Sequence, residues 1–271
     1  MTVDIRVLGP LRVSTAGGEV APSAPKPRQL LALLATRPDE TVSMDALVDE
    51  LWDSRPPSSV ITAVQTYIVL LRRQLTRALG IAGAVVARDV LPFEGWGYRL
   101  ATGGGTHDAQ EFRRCATAGR RALAAGEDGR AAVLLRRALG MWHGPVLADV
   151  KAGPQLTAHR TTLAEDRLTA LEQRIEADLR LGHHHELLGE LTGLTLQYPL
   201  HENLHALFMI SLYRAGRPAQ ALSSFQLLRR NLREELGIDP SPRMWRLQQA
   251  VLTADESLQP RVASRLFPME L

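Results

Sequence analysis

The chain has 271 residues, of which 45% are hydrophobic and 23% charged, enough for two globular domains that each bury a core. A formal net charge of +3 is too small to indicate nucleic-acid binding by itself, so that function depends on where the charges lie. No apolar run approaches the ~20 residues of a transmembrane helix, no secretory signal is recognisable, and the single Cys115 excludes an internal disulfide framework, so we expect a cytoplasmic protein.

The first fifty residues predict a small domain that mixes strands and helices. Apolar residues alternate with arginines over residues 5–13 around a Gly-Pro turn, which predicts two short antiparallel strands. A leucine-rich helix follows over residues 29–36. Residues 41–43 are expected to be extended, with Ser43 capping a second helix over residues 44–52.

The stretch PPSSVITAVQTYIVLLRRQLTR, residues 56–77, predicts a third helix that begins near Ser58 or Ser59. At about 100° per residue, one side is apolar and is expected to pack on a core: Ile61, Val64, Ile68, Leu71 and Leu75. The other side is polar near its N-terminus and basic further along. Together with the two flanking residues Gln65 and Arg72, its side chains are the candidate DNA-binding residues: Thr62, Gln65, Thr66, Val69, Arg72, Arg73 and Arg77. Small polar side chains can read base edges, and arginines can neutralise phosphates. An ordinary amphipathic helix with a solvated basic face is the alternative.

Val85-Val86 and Gly97–Leu100 predict the two arms of a hairpin, with residues 87–96 between them. Three helices followed by a hairpin is the order of a winged helix-turn-helix. With the segments PPSS, LLRRQL and GYRL, this half of the chain resembles the response-regulator type of that fold. The resemblance implies that the third helix enters the major groove and that the wing touches the minor groove.

The resemblance also implies that RNA polymerase contacts the loop before the third helix, at Asp53, Ser54 and Arg55. The wing departs from the family pattern, because Phe93-Glu94-Gly95-Trp96 replaces the usual arginine. Since a glutamate would repel phosphate, we expect Arg88 to supply the minor-groove contact instead.

Residues 101–105, ATGGG, predict a flexible join, and nearly everything after them predicts helix. A helix hairpin turns at residues 126–129, and further helices are expected over residues 161–181, 184–197, 202–215, 218–236 and 241–252. Laying Gly182 on Gly216 gives an offset of 34 residues, the length of a tetratricopeptide hairpin. A plain helical bundle with chance spacing is the alternative.

The segments SLYRAGR, residues 211–217, and EELGIDPSP, residues 234–242, make the second half similar to the bacterial transcriptional activation domain. Both halves together resemble the Streptomyces antibiotic regulatory protein family over about residues 3–255. The resemblance implies a mainly α protein. A winged helix-turn-helix with small β-sheets is expected at residues 1–102, a tetratricopeptide-like helical domain at 106–255 and a tail at 256–271.

The same resemblance implies a nucleoid-associated activator of secondary-metabolite genes, such as those of antibiotic biosynthesis. It is expected to bind direct repeats near the promoter, to self-associate on DNA and to recruit RNA polymerase through its sigma factor and alpha subunit. The competing hypothesis is a protein-interaction scaffold whose N-terminal domain has lost DNA binding.

We expect no enzyme activity, cofactor or metal. The run His183–His185 sits at a helix turn, where adjacent residues cannot all face one ion. Cys115 has no plausible histidine partner nearby, and Glu165 and Asp166 diverge on a helix. The chain also lacks the glycine-rich loop of nucleotide hydrolases.

Overall fold

The structure is a computed structural model that describes residues 1–53 and 55–259. It divides into two compact units. The first, called here the N-terminal unit, comprises residues 1–116 and 137–168. The second, the helical unit, comprises residues 117–136 and the chain from residue 169 onward. The predicted class, mainly α with small antiparallel sheets in the first half, is confirmed.

A three-stranded antiparallel sheet opens the N-terminal unit, with strands β1 (Asp4–Arg6), β2 (Arg12–Thr15) and β3 (Gly18–Glu19) in that order. Ile5 is opposite Val13, and both side chains are fully buried. The arginines between the apolar positions are exposed, because successive side chains of a strand point to opposite faces. The predicted opening strands are therefore confirmed.

Three helices pack together next: α1 (Pro25–Thr36), α2 (Met44–Trp52) and α3 (Val60–Leu79). Strand β4 (Thr41–Ser43) precedes α2, and the Ser43 hydroxyl accepts a hydrogen bond from the Ala46 N–H at 3.0 Å, which is the predicted cap. These helices bury a continuous leucine-rich core between them.

The predicted pairing of Val85-Val86 with the final strand is wrong. Residues Gly83–Val85 form a short α4 that runs into a π-helical segment, Val86–Val90. Val86 and Val90 are both buried, as two residues one helical turn apart can be. Strand β5 (Gly97–Arg99) pairs instead with β4. In the described part of the chain, only the isolated bridge between Phe93 and Tyr98 resembles the expected hairpin, so the wing is a tight turn.

The segment 101–105 is not the free join that its glycines suggested. The Val3 N–H donates to the Thr102 carbonyl at 2.9 Å, and the Ile5 N–H donates to the Thr106 carbonyl at 2.8 Å. A Cβ added at Gly105 would lie 2.1 Å from the Val3 carbonyl oxygen. Glycine is needed there because the segment runs directly against the start of β1.

Three more helices begin beyond this segment: α5 (Asp108–Ala124), α6 (Asp128–Leu139) and α7 (Pro154–Arg180). Helix α7 begins seven residues before the predicted position 161. The reason is a long-range cap: the buried Glu50 carboxylate of α2 accepts from the Gly153 N–H at 2.6 Å and the Leu156 N–H at 3.0 Å. It satisfies N–H groups at the start of α7 that have no partner within the helix.

Two further carboxylates hold the N-terminal unit together. Asp108 accepts from the Val7 and Leu8 N–H groups, and Asp149 accepts from the Leu11 N–H and from Arg28. The domain bounds 1–102, 106–255 and 256–271 stay predictions, and residues 260–271 of the predicted tail lie outside the described residues.

The helical unit contains α8 (His184–Gln197), α9 (Glu202–Arg214), α10 (Pro218–Leu236), α11 (Pro242–Leu252) and a short 3-10 turn, Glu256–Leu258. Its core includes the buried side chains of Met209, Leu212, Phe225, Leu228 and Met244. Across the described ranges, no helix is both long and apolar enough to cross a bilayer.

Three helix hairpins turn in the same way, at Gly126, Gly182 and Gly216. Each glycine has a positive φ, of 76°, 88° and 73°. In each turn, the residue after the glycine donates its N–H to the carbonyl of the residue five positions earlier in the chain than itself. The three distances are 2.9, 3.0 and 2.9 Å. This is the Schellman arrangement, in which a left-handed glycine ends a helix. The three hairpins therefore share one turn geometry, and the tetratricopeptide-like repeat stays a prediction.

Candidate nucleic-acid interface

The outer face of α3 is exposed along its length. Six of the seven predicted positions are exposed: Thr62, Gln65, Thr66, Val69, Arg73 and Arg77. With Leu70 and Gln74 they line one shallow groove along the helix. The opposite side is buried through Val64, Ile68, Leu71 and Leu75. The helix therefore presents one polar face to the outside.

Ile61, predicted on the apolar side, is 46% exposed, so that assignment is wrong. It lies in the first turn of α3, whereas the buried side chains begin at Val64 and end at Ala78. The buried stripe is thus shifted toward the C-terminal end of the helix.

Packing at both ends fixes which side of α3 faces out. Near its N-terminal half the Tyr67 ring stacks on Trp52 of α2, with ring centres 6.3 Å apart. At its C-terminal end the Thr15 hydroxyl donates to the Ala78 carbonyl at 2.6 Å. Because one side of the helix is held by α1, α2 and the first sheet, its polar side is left outward.

The chemistry of the exposed face suits a duplex with a charged backbone. Helix α3 contains no aspartate or glutamate. Within the described residues, Arg73 and Arg77 form no salt bridge, so their charges are available to an anion. The Thr66 hydroxyl donates to the Thr62 carbonyl at 2.8 Å and keeps its lone pairs, while Gln65 carries both a donor and an acceptor.

Arg72 differs from its neighbour Arg73, because it is half-buried at the base of the wing. Its Nε and Nη2 donate to the Leu91 carbonyl at 3.0 and 2.7 Å, and its guanidinium lies 5.8 Å from the centre of the Tyr98 ring. The side chain joins α3 to the wing. Helical periodicity does not reveal such a role, because the partner is a backbone carbonyl 19 residues away.

The prediction that Arg88 belongs to the wing is wrong. It lies in the π-helical segment, and its exposed side chain donates to both carboxylate oxygens of Asp89 at 2.8 Å. The hydrogen bond from Arg88 lowers the pKa of Asp89, so the pair stays ionised and nearly cancels in charge.

The wing turn spans Phe93–Gly97, and Gly95 at its tip has a φ of 73°. Glu94 does not project from it as a free charge. Its carboxylate accepts from the Thr41 hydroxyl and from Arg99 Nε, the latter at 2.7 Å. These two hydrogen bonds, with that from Thr41 the larger cause, lower the pKa of Glu94.

The loop between α2 and α3 is exposed at Asp53 and Arg55, while Ser54 lies outside the described residues. Asp53 ends α2 with a φ of 53°, and its N–H donates to the Asp49 carbonyl at 2.8 Å. The loop therefore begins from a fixed helix end.

Cys115, Glu165 and Asp166 lie in surroundings that are typical of structural residues. Cys115 is buried, and burial raises the pKa of its thiol. Asp166 pairs with Arg113 at 3.0 Å, while Glu165 is exposed. In residues 1–53 and 55–259, no three histidine, cysteine, aspartate or glutamate side chains are grouped closely enough to hold a metal ion.

Two family models match the chain. The bacterial transcriptional activator domain matches residues 107–252, which is more than half of the chain. The C-terminal domain of transcriptional regulatory proteins matches residues 18–100.

Characterised relatives match nearly the whole chain. Regulatory protein DnrI of Streptomyces peucetius is 45% identical over 256 residues, which cover 94% of each chain. Regulatory protein AfsR of Streptomyces coelicolor is 41% identical over 253 residues, 93% of this chain but 24% of AfsR.

A solved structure shares the fold: Mycobacterium tuberculosis EmbR in complex with a low affinity phosphopeptide, at 33% identity and a TM-score of 0.85. The similarity covers 93% of this chain and 65% of EmbR. The two family models, the relatives and the fold together show that this chain belongs to the Streptomyces antibiotic regulatory protein family of transcriptional activators.

Proposed function

We propose that the protein activates transcription by laying the outer face of α3 in the major groove of promoter DNA. The observation that carries this proposal is a packed helix whose exposed side has hydroxyls and amides first and then arginines that form no salt bridge among the described residues, with no acidic residue in the helix. A helix of this kind is what the major groove admits, and arginines match phosphate geometry.

Each exposed side chain has a distinct role in the proposal. Thr62, Gln65 and Thr66 contact base edges, and Val69 contacts a thymine methyl group. Arg73 and Arg77 contact phosphates and hold the helix in register. Arg72 is assigned to positioning the wing because its side chain is half-buried and its Nε and Nη2 both donate to the Leu91 carbonyl.

The wider role follows from the family. We infer that the protein binds direct repeats, that copies bind side by side, and that the targets are secondary-metabolite genes such as those of antibiotic biosynthesis. Polymerase is recruited through its sigma factor and alpha subunit, with Asp53, Ser54 and Arg55 as candidate contacts. The exposure of Asp53 and Arg55 supports that assignment. The site of action is the nucleoid in the cytoplasm.

A binding experiment tests the base contacts. The combined variant Thr62→Ala, Gln65→Ala, Thr66→Ala is compared with wild type by fluorescence anisotropy on a promoter fragment and on a scrambled duplex. Because a good base contact is worth ~1–3 kcal/mol, the variant should lose most of its preference for the promoter. Equal preference in variant and wild type would refute the assignment.

The chain offers a matched control on α7. Thr161 and Thr162 are exposed and donate to carbonyls four residues earlier, as Thr66 does. Replacing both by alanine should leave promoter preference unchanged.

A scaffold without promoter recognition is the second candidate, and the repeated helix hairpins favour it. If wild type binds promoter and scrambled duplexes equally, the scaffold reading is the better one.

A further inference from the structure

The wing tip exposes two large aromatic side chains. Trp96 is 61% exposed and Phe93 is 52% exposed. Each ring offers a large apolar area that a partner can bury on contact. The Phe93 ring leans on Tyr98, with centres 5.2 Å apart, while within the described residues the Trp96 ring has no aromatic neighbour.

The turn that carries these rings is held by its backbone. The Glu94 N–H donates to the Gly97 carbonyl at 2.9 Å, and the Trp96 N–H donates to the Glu94 carbonyl at 2.8 Å. The Met44 N–H at the start of α2 donates to the Trp96 carbonyl at 3.0 Å. The ring of Trp96 therefore projects from a fixed backbone, and ordering it on contact costs little conformational entropy.

The tip has no charge to offer a phosphate or a base edge. Residues 93–97 contain no arginine or lysine, and the carboxylate of the single acid, Glu94, is paired with Arg99 and accepts a hydrogen bond from Thr41. Arg88 is paired with Asp89 outside the turn. The means by which this wing can contact a duplex is therefore apolar.

The base of the wing is tied to α3. Arg72 bonds the Leu91 carbonyl two residues before Phe93, and Arg73 beside it lies on the exposed face of the helix. When α3 lies in a major groove, the wing tip is carried along with it as part of the same packed unit.

We propose that Trp96, supported by Phe93, is an apolar wedge that enters the minor groove and bends the promoter. This inference rests on the proposed function and adds a distortion of the DNA to it. Apolar side chains in the minor groove partly unstack a base step and kink the duplex toward the major groove. Flexible pyrimidine–purine steps deform most easily, so the wedge favours them without reading their hydrogen bonds.

Fluorescence energy transfer between the ends of a labelled promoter duplex tests the wedge with the full chain. Wild type should shorten the end-to-end distance, and 2-aminopurine placed at the wing-facing step should brighten as it unstacks. Trp96→Ala should lose most of both signals and bind more weakly, with an unchanged salt slope. Trp96→Phe should keep a partial bend.

Trp96→Arg distinguishes a lost wedge from a misfolded wing. It should bind the promoter without the bend and steepen the salt dependence by about one counterion, because a charge replaces an apolar contact. Trp245→Phe, in the helical unit, should behave like wild type.

The outcomes separate the inference from the proposed function. Wild type without promoter preference would overturn the proposed function. Promoter preference with an unbent duplex, or a bend that survives Trp96→Ala, would overturn only the wedge. If Trp96→Ala loses cooperative binding to two repeats but keeps the bend on one, Trp96 faces a neighbouring copy and the wedge is wrong.

Discussion

Two consecutive arginines of α3 have opposite surroundings. Arg73 is exposed on the outer face, whereas Arg72 is half-buried and bonded to the Leu91 carbonyl. Helical periodicity placed Arg72 only at the flank of the outer face. Both arginines were predicted to bind DNA, because the sequence does not show that the Leu91 carbonyl, which belongs to a distant turn, binds Arg72. The exposed positions were predictable because the apolar stripe Val64, Ile68 and Leu71 fixes the inward direction.

The phosphate role of the exposed arginines predicts a change in salt dependence. Arg73→Ala and Arg77→Ala should each weaken binding to every duplex and lower the slope of log K against log salt by about 1. Titrations at several salt concentrations measure the slope. Arg120→Ala removes an exposed charge from α5 and should leave the slope unchanged. Unchanged slopes in both α3 variants would show that Arg73 and Arg77 do not contact phosphates.

Two histidines, the half-buried His159 and the buried His205, predict a loss of stability in mild acid. Burial, and to a smaller extent Arg113, lower the pKa of His159 to about 4, and burial is also the main cause that lowers the pKa of His205 to about 4. The unfolded chain, with a histidine pKa near 6.5, then binds more protons than the folded chain between pH 6.5 and 4. The free energy of unfolding should fall as pH falls through that range, by at most about 3 kcal/mol per histidine.

Urea unfolding at a series of pH values checks this prediction. His159→Asn and His205→Asn should each flatten the pH dependence, although both lower the absolute stability. His185→Gln, at an exposed position, should keep the wild-type slope. A slope that none of the variants changes would exclude His159 and His205 as its source.

At the scale of elements, the reliable predictions were those made from local pattern. Ser43 capping α2 and Gly216 ending α9 follow from neighbours within a few residues. The wing was mispredicted because β5 pairs with β4, more than fifty residues away, and no local signal shows which strand is the partner. The start of α7 was missed for the same reason, since its cap, Glu50, comes from α2.

Glu50 supplies a test of that cap. Its carboxylate is buried and accepts from two N–H groups at the start of α7 and from Gln29 Nε2 at 2.9 Å. Glu50→Ala leaves these buried donors without partners and should lower the free energy of unfolding by ~3 kcal/mol. Urea denaturation measures the change. Glu165→Ala, exposed on the same α7, should change it by less than ~0.5 kcal/mol. A small effect at Glu50 would show that water replaces the cap.

At the scale of the whole molecule, the division by sequence and the division by packing differ. The family models separate residues 18–100 from residues 107–252, whereas the N-terminal unit extends through residues 107–116 and 137–168. The carboxylates of Glu50, Asp108 and Asp149 bind these later residues to the first hundred. Each accepts a hydrogen bond from a backbone N–H about a hundred or more residues away. Composition and periodicity predict where helices form in each half, but they do not predict hydrogen bonds between residues so far apart in the chain.

In the proposed function, the outer face of α3 holds promoter DNA. Hydroxyl-radical footprinting of the full chain on the DNA beside its own gene tests it most directly. We predict protected patches on repeated half-sites with wild type, and no protection with the Thr62→Ala, Gln65→Ala, Thr66→Ala variant at the same concentration. The same footprint from wild type and variant would mean that the outer face of α3 does not hold the DNA.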